Sequence, residues 1–268
     1  MAIKFESWSN KQLCYIFVGW LIVFAMLRWD MGAWLSSQLD RMLAQNHIEM
    51  QYQALNFHGD GVALSSVKLH IPQLPKPLLL DTAQVNLDWA ALLHGQLAFN
   101  VTAKNSFFQC NTLLSSHDEK LKLDKLYVVL DVKPAQRWLG KSALLQASGQ
   151  ATLEGSFDVD MQTRLPASVH LQMQWRQAAI NVVGQDYVLG DYSLRLDDQS
   201  WVLHGGEQLE LNGKGRLVGN AQPVLQWPLH GKVQLLSKEG AAIANILPLH
   251  KAHVNITGTL GLPYLGIR

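Results

Sequence analysis

GVALSSVKLHIPQLPKPLLLDTAQVNLDWAALLHGQLAFNV, residues 61–101, decides how the chain is read. Val62 and Leu64, then Val67, Leu69 and Ile71, fall at every second position. Such a period places alternate side chains on one face of a β-strand. The run stops at PQLPKP, residues 72–77, where prolines cannot donate to a sheet ladder and a turn or sheet edge is expected. Val85, Leu87 and Trp89 resume the alternation. After the short helical pattern WAALLHG, Leu97, Phe99 and Val101 continue it.

The same period recurs towards the C-terminus. Leu126 to Val132, Leu153 to Met161, Val169 to Trp175, Leu194 with Leu196, Leu209 to Leu217, Val233 with Leu235, and Val254 to Leu260 each give an alternating set. About ten strands are expected on this count. Helical patterns interrupt them at 89–95, 134–145 and 238–249. A weak repeat of strand, short helix, strand is one reading of that spacing, and coincidence within a meander is the other. A sheet with one apolar face must cover it. The expected fold is therefore mainly β: an antiparallel domain, strongly curved or sandwich-like, with a few short helices. One sheet or two is left open.

Upstream, LCYIFVGWLIVFAML at 13–27 carries no charge and no proline. Fifteen residues fall short of the roughly 20 that span a hydrocarbon core as a helix. Extension to residue 35 meets Arg28 and Asp30, which sit where long side chains snorkel, and Trp29 and Trp34 supply interfacial aromatics. A cleaved signal peptide would need small residues before its cut, which AMLRWDMGAW does not offer. One uncleaved transmembrane helix over 13–35 is expected, after a cytoplasmic tail at 1–12. The charge count for orientation is close to a tie, with Lys4 and Lys11 against Arg28 and Arg41. Residues 36–54 form an amphipathic helix or linker in which Leu35, Leu39, Met42 and Leu43 recur at helical spacing. The β-rich domain then fills 55–268.

With 268 residues, 48% hydrophobic and 16% charged, the chain has material for one anchored domain. A net charge of +1 with interleaved signs gives no footprint for nucleic acid. Cys14 and Cys110 lie in different parts of the chain and imply no disulfide. His250 and His253 form the closest histidine pair, without the partners of a zinc site, so no metal or cofactor is expected. Asp158 and Asp160 share one face of a strand and read as solvated surface, and DDQS at 197–200 reads as a turn. The glycines between His204 and Asn220 read as hairpin turns and bulges. No nucleophile elbow, phosphate loop or dinucleotide fingerprint occurs, and the chain is not expected to be an enzyme.

The pattern G-V-x-L-x-x-V at 61–67, L-L-x-G-x-L at 92–97 and G-x-A-x-L-x-G at 149–155 resembles the type II secretion system protein N family. It is similar also to the wider AsmA-like group of envelope proteins. The resemblance covers residues 55–177, with a fainter echo over 252–262, and brings no catalytic residue with it. It implies a single-pass inner-membrane protein of a Gram-negative bacterium with its bulk in the periplasm. Its partners would be other inner-membrane or periplasmic components of the secretion system. The AsmA-like side of the resemblance implies instead an apolar groove for phospholipid. Leu97, Phe99, Leu153, Phe157, Leu171 and Trp175 are the residues that would line such a groove, or else pack as ordinary core.

Overall fold

The computed structural model describes residues 49–58, 61–70, 76–117, 120–139, 145–160, 162–163, 165–182, 184–219, 226–238, 251–259 and 263–267. The chain divides into two compact units, Met1–Met50 and Gln51–Arg268. The strands are β1 (Glu49–Gln51), β2 (Ala54–His58), β3 (Gly61–His70), β4 (Leu78–Leu87), β5 (Leu97–Lys104), β6 (Phe108–His117), β7 (Lys120–Asp131) and β8 (Leu145–Asp160). They continue as β9 (Pro166–Val182), β10 (Gln185–Asp197), β11 (Ser200–Gly205), β12 (Leu209–Leu217), β13 (Leu229–Ser237), β14 (Lys251–Gly258) and β15 (Pro263–Ile267). Two helices are described, α1 (Trp89–Leu93) and α2 (Val132–Leu139).

From β2 to β15 each strand pairs antiparallel with the next, giving one open meander in place of the two layers of a sandwich. The sheet has fifteen strands, against about ten expected. The expected transmembrane span, most of the amphipathic segment after it and the helical pattern at 239–249 lie outside the described residues. The end of that amphipathic segment, Glu49–Gln51 and Ala54, is strand.

Directly opposed residues share a face, so the register traces one face across the molecule. Val62 faces Val85, Val85 faces Val101, Phe99 faces Leu114, Leu114 faces Leu123 and Leu123 faces Phe157. Bulges keep the apolar residues in phase, among them one on β10 around Gly190. Lys125 (φ 50°) is the extra residue of β7 and Gln177 (φ 51°) that of β9. Bulges also sharpen the twist. The resulting curl is measurable: five strand spacings separate β8 from β13, roughly 24 Å on a flat sheet. Yet the ring of Phe157 lies 6.2 Å from that of Trp227, just before β13.

Two clusters fill the concavity so formed. One gathers Ala178, Tyr187, Leu189, Tyr192 and Leu209, and the other Trp201, Leu217, Trp227 and Val233. Trp201 lies over Gly213, Gly215 and Gly231, where a Cβ at Gly215 would sit 2.6 Å from its indole. These strand-interior glycines are thus a bed for an aromatic ring. This corrects the reading of every glycine between His204 and Asn220 as a turn or bulge, which holds for Gly205 and Gly206 at their positive φ.

Tyr192 donates its hydroxyl to the Leu209 carbonyl at 2.7 Å, and burial pushes its pKa up to about 12. Tyr192→Phe should cost about 1 kcal/mol by urea unfolding. Because the folded value is raised, this residue's contribution is whole below pH 10 and is lost as pH rises towards 12. Tyr192 should ionise late in an absorbance titration.

At the other end of the sheet, α2 folds back on the start of β8, where the Gln136 side chain accepts from the Ala147 amide at 2.6 Å. Trp138 donates to the Pro77 carbonyl at 3.1 Å, and Asn105 donates to that of Leu79 at 2.8 Å. Asp88 caps α1 by accepting from the amides of Ala90 and Ala91. Each described helix precedes a returning strand; α2 begins at Val132, a residue the alternation assigns to a strand, and residues 239–249 of the third helical pattern lie outside the described residues.

Candidate functional site

All six residues expected to line a groove fall on the traced face: Leu97 and Phe99 on β5, Leu153 and Phe157 on β8, Leu171 and Trp175 on β9. Gly155 opposes Leu171, Ala151 opposes Trp175 and Leu153 opposes Met173. They are not equivalent. Phe157 packs on the Trp201 cluster and Trp175 on the Tyr192 cluster, its ring 5.8 Å from Tyr192, so these two are core. Leu97 is 48% exposed and Val85, on the neighbouring strand, 38%.

The gradient is the main feature of the site. From β9 to β13 the face holds buried residues such as Val169, Trp201 and Val233. From β5 to β8 no described side chain on it is fully buried: Phe99, Val101, Leu114, Leu123, Val128 and Leu153 all keep partial access to solvent. The curl that closes the sheet on itself over β8–β13 leaves the earlier strands open. Burying such a surface is favourable at roughly 25 cal/mol per Å² of apolar area, which makes it a place for an apolar occupant.

Charge is excluded from it. Across β5–β8 the charged side chains alternate onto the other face, as Lys104, Lys122, Asp124, Glu154 and Asp158 do. There Lys122 pairs with Asp124 at 3.1 Å. Asp160 accepts from the amides of Thr163 and Gln162, bonds that hold its carboxyl below the usual range. Asp158 departs from the solvated reading, since its Oδ1 is buried with no partner. Asp197 is held low by Arg195 and then His170, at 2.6 and 3.3 Å, and Asp198 turns the chain between β10 and β11 as expected.

Sequence reasoning missed the middle of the open face. Strand β6 contributes Cys110, Thr112 and Leu114 to it, and its pattern FQCNTLLSSH hides the alternation behind small polar residues. The available signal was the pair of flanking hairpins. Cys110 is a free thiol whose pKa burial raises. It should alkylate slowly in the folded chain at pH 8 and readily after unfolding, as mass spectrometry of its peptide would show.

A family model, type II secretion system (T2SS), protein N, matches residues 60–249, which takes in the open face and both clusters. The chain belongs to that family. No curated protein and no solved structure matches it. Membership in the protein N family bears out that side of the resemblance and carries an accessory role in type II secretion, within the envelope and among the system's other components. Among the described residues no helix is long and apolar enough to cross a membrane, and no group of histidine, cysteine and acidic side chains is placed to hold a metal.

Proposed function

We propose that this chain is a non-catalytic, single-pass accessory of type II secretion. Residues 13–35 anchor it in the inner membrane, and the β-domain stands in the periplasm. Its uncharged open face over β5–β8 and its sheet edges engage other secretion proteins. The observation that carries this reading is the open face itself: a broad, partly exposed apolar surface suits binding, and among the described residues its one titratable group is the Cys110 thiol. Edge strands β2 and β15, each paired on one side among the described residues, offer ladders for an added strand.

The absence of charge on that face also favours a second reading, in which acyl chains lie along it as in an AsmA-like lipid carrier. One experiment separates the two. A photo-crosslinking residue at Leu97 is expected to yield adducts with inner-membrane or periplasmic secretion components in secreting cells. Adducts with phospholipid alone would support the carrier, and no adduct of either kind would sink both. Occupancy should also slow the alkylation of Cys110.

A further inference from the structure

The outer face of β11–β14 is built differently from the rest of the surface. These four strands carry Lys214, Arg216, Lys232 and Lys251 against one carboxylate, Glu210, which accepts from Asn212 at 2.6 Å. Four cations less one anion give +3 with histidines neutral, where the whole chain has +1. Lys214 stands directly opposite Lys232, a cross-strand repulsion that sheets ordinarily avoid. Among the described residues none of the four cations pairs with a carboxylate. The next row along the strands runs from His204 through Asn212 and Gln234 to His253. The two rows line a shallow depression of about 390 Å³.

We propose that this face docks on an anionic phospholipid surface. Uncompensated cations on long exposed stems, spread over adjacent strands without a shaped cleft, suit a fluid array of phosphates better than one acidic peptide. Two exposed side chains strengthen the choice. Val202, 47% exposed, lies beside Lys214, and Tyr264, 70% exposed, stands opposite Thr257 at the rim of the same face. An apolar residue among cations and an amphipathic tyrosine at the edge are the composition of a membrane interface. Each cation brought to an anionic surface strengthens association about fivefold.

The test uses the full chain with Cys14 and Cys110 changed to serine and a polarity-sensitive fluorophore on Val202→Cys. It is reconstituted into vesicles of phosphatidylcholine alone or mixed equally with phosphatidylglycerol. The label should shift to the blue and lose contact with an aqueous quencher in the anionic vesicles, and high salt should reverse both changes. Lys214→Gln and Lys232→Gln should each weaken docking about fivefold. Both positions are exposed and relieved of repulsion by the change, so folding is not at risk. Equal emission and quenching in the two lipids, or a response that ignores both lysines, would overturn the proposal. So would shielding that arises only when purified secretion proteins are added, which would assign the face to an acidic protein partner. The lipid arms contain no other protein, so their outcome is independent of whether the secretion partners of the open face are found.

Discussion

Trp201→Ala should lower the stability of the β-domain by about 3–5 kcal/mol, the range for removing a buried aromatic from a packed cluster. The indole is 5% exposed and meets Leu217, Trp227 and Val233, with Phe157 packed against the same group. It joins β11 to β12, β13 and the far strand β8 across the curl, so its loss opens a cavity where the two limbs of the sheet meet. Against a total of about 5–15 kcal/mol for an ordinary domain, the variant should unfold at much lower urea. Gly231→Ala is the sharper companion. A Cβ at Gly231 would run into the indole ring and would also sit 2.9 Å from the Lys214 carbonyl oxygen, so the methyl should cost most beside Trp201 and less, though still something, once Trp201 is alanine. A coupling of about 1–3 kcal/mol in that double-mutant cycle is expected. Equal costs of Gly231→Ala in both backgrounds would show that the glycine is needed for its backbone and not for the ring above it.

The same bed of glycines shows where sequence reading succeeds and where it fails. Strands β5, β7, β8 and β9 were legible because Leu, Val, Phe and Trp hold every second position and polar residues hold the rest. Strand β6 was not, because Cys110 and Thr112 take inward places next to Leu114. Strand β11 was not, because SWVLHG is too short for Trp201 and Leu203 to declare a period. Gly213 and Gly215 looked like turn residues because their partner, Trp201, is one strand away in space and more than ten residues away in sequence. Alternation names the face a residue is on, and it is silent about which residue crosses over to meet it.

The candidate site was legible to the same degree. The six residues expected to line a groove lie on one face, since face depends on parity along a strand. Their division into core and open surface was not legible. It depends on the curl that brings Phe157 to Trp227, and the strands within that curl shift register at Gln177 on β9 and around Gly190 on β10, irregularities that a period of two does not announce. The outer basic face was missed for a related reason. Lys214, Arg216, Lys232 and Lys251 are scattered along the sequence, and only the β12–β14 register gathers them.

That division yields the second large effect. Phe157→Asp should destabilise the domain by more than about 3 kcal/mol, because the ring is lost from the Trp227 contact and a carboxylate is forced into an apolar cluster. Phe99→Asp makes the same chemical change on the same face, where the neighbouring Leu97 is 48% exposed and water can reach a charge. Its cost should stay near about 1–2 kcal/mol, within the range of ordinary substitutions. The two variants should reverse order in a binding assay on folded protein, where Phe99→Asp abolishes the crosslinks made from residue 97 by putting a charge on the surface an apolar occupant must cover. Urea midpoints and crosslinking yields from both variants decide the matter. Should Phe99→Asp unfold as readily as Phe157→Asp, the early strands are packed as tightly as the late ones and the open face has no room for a partner. Should it stay folded and keep its adducts, occupants of the envelope reach this domain by another surface, and the sheet edges at β2 and β15 become the places to look.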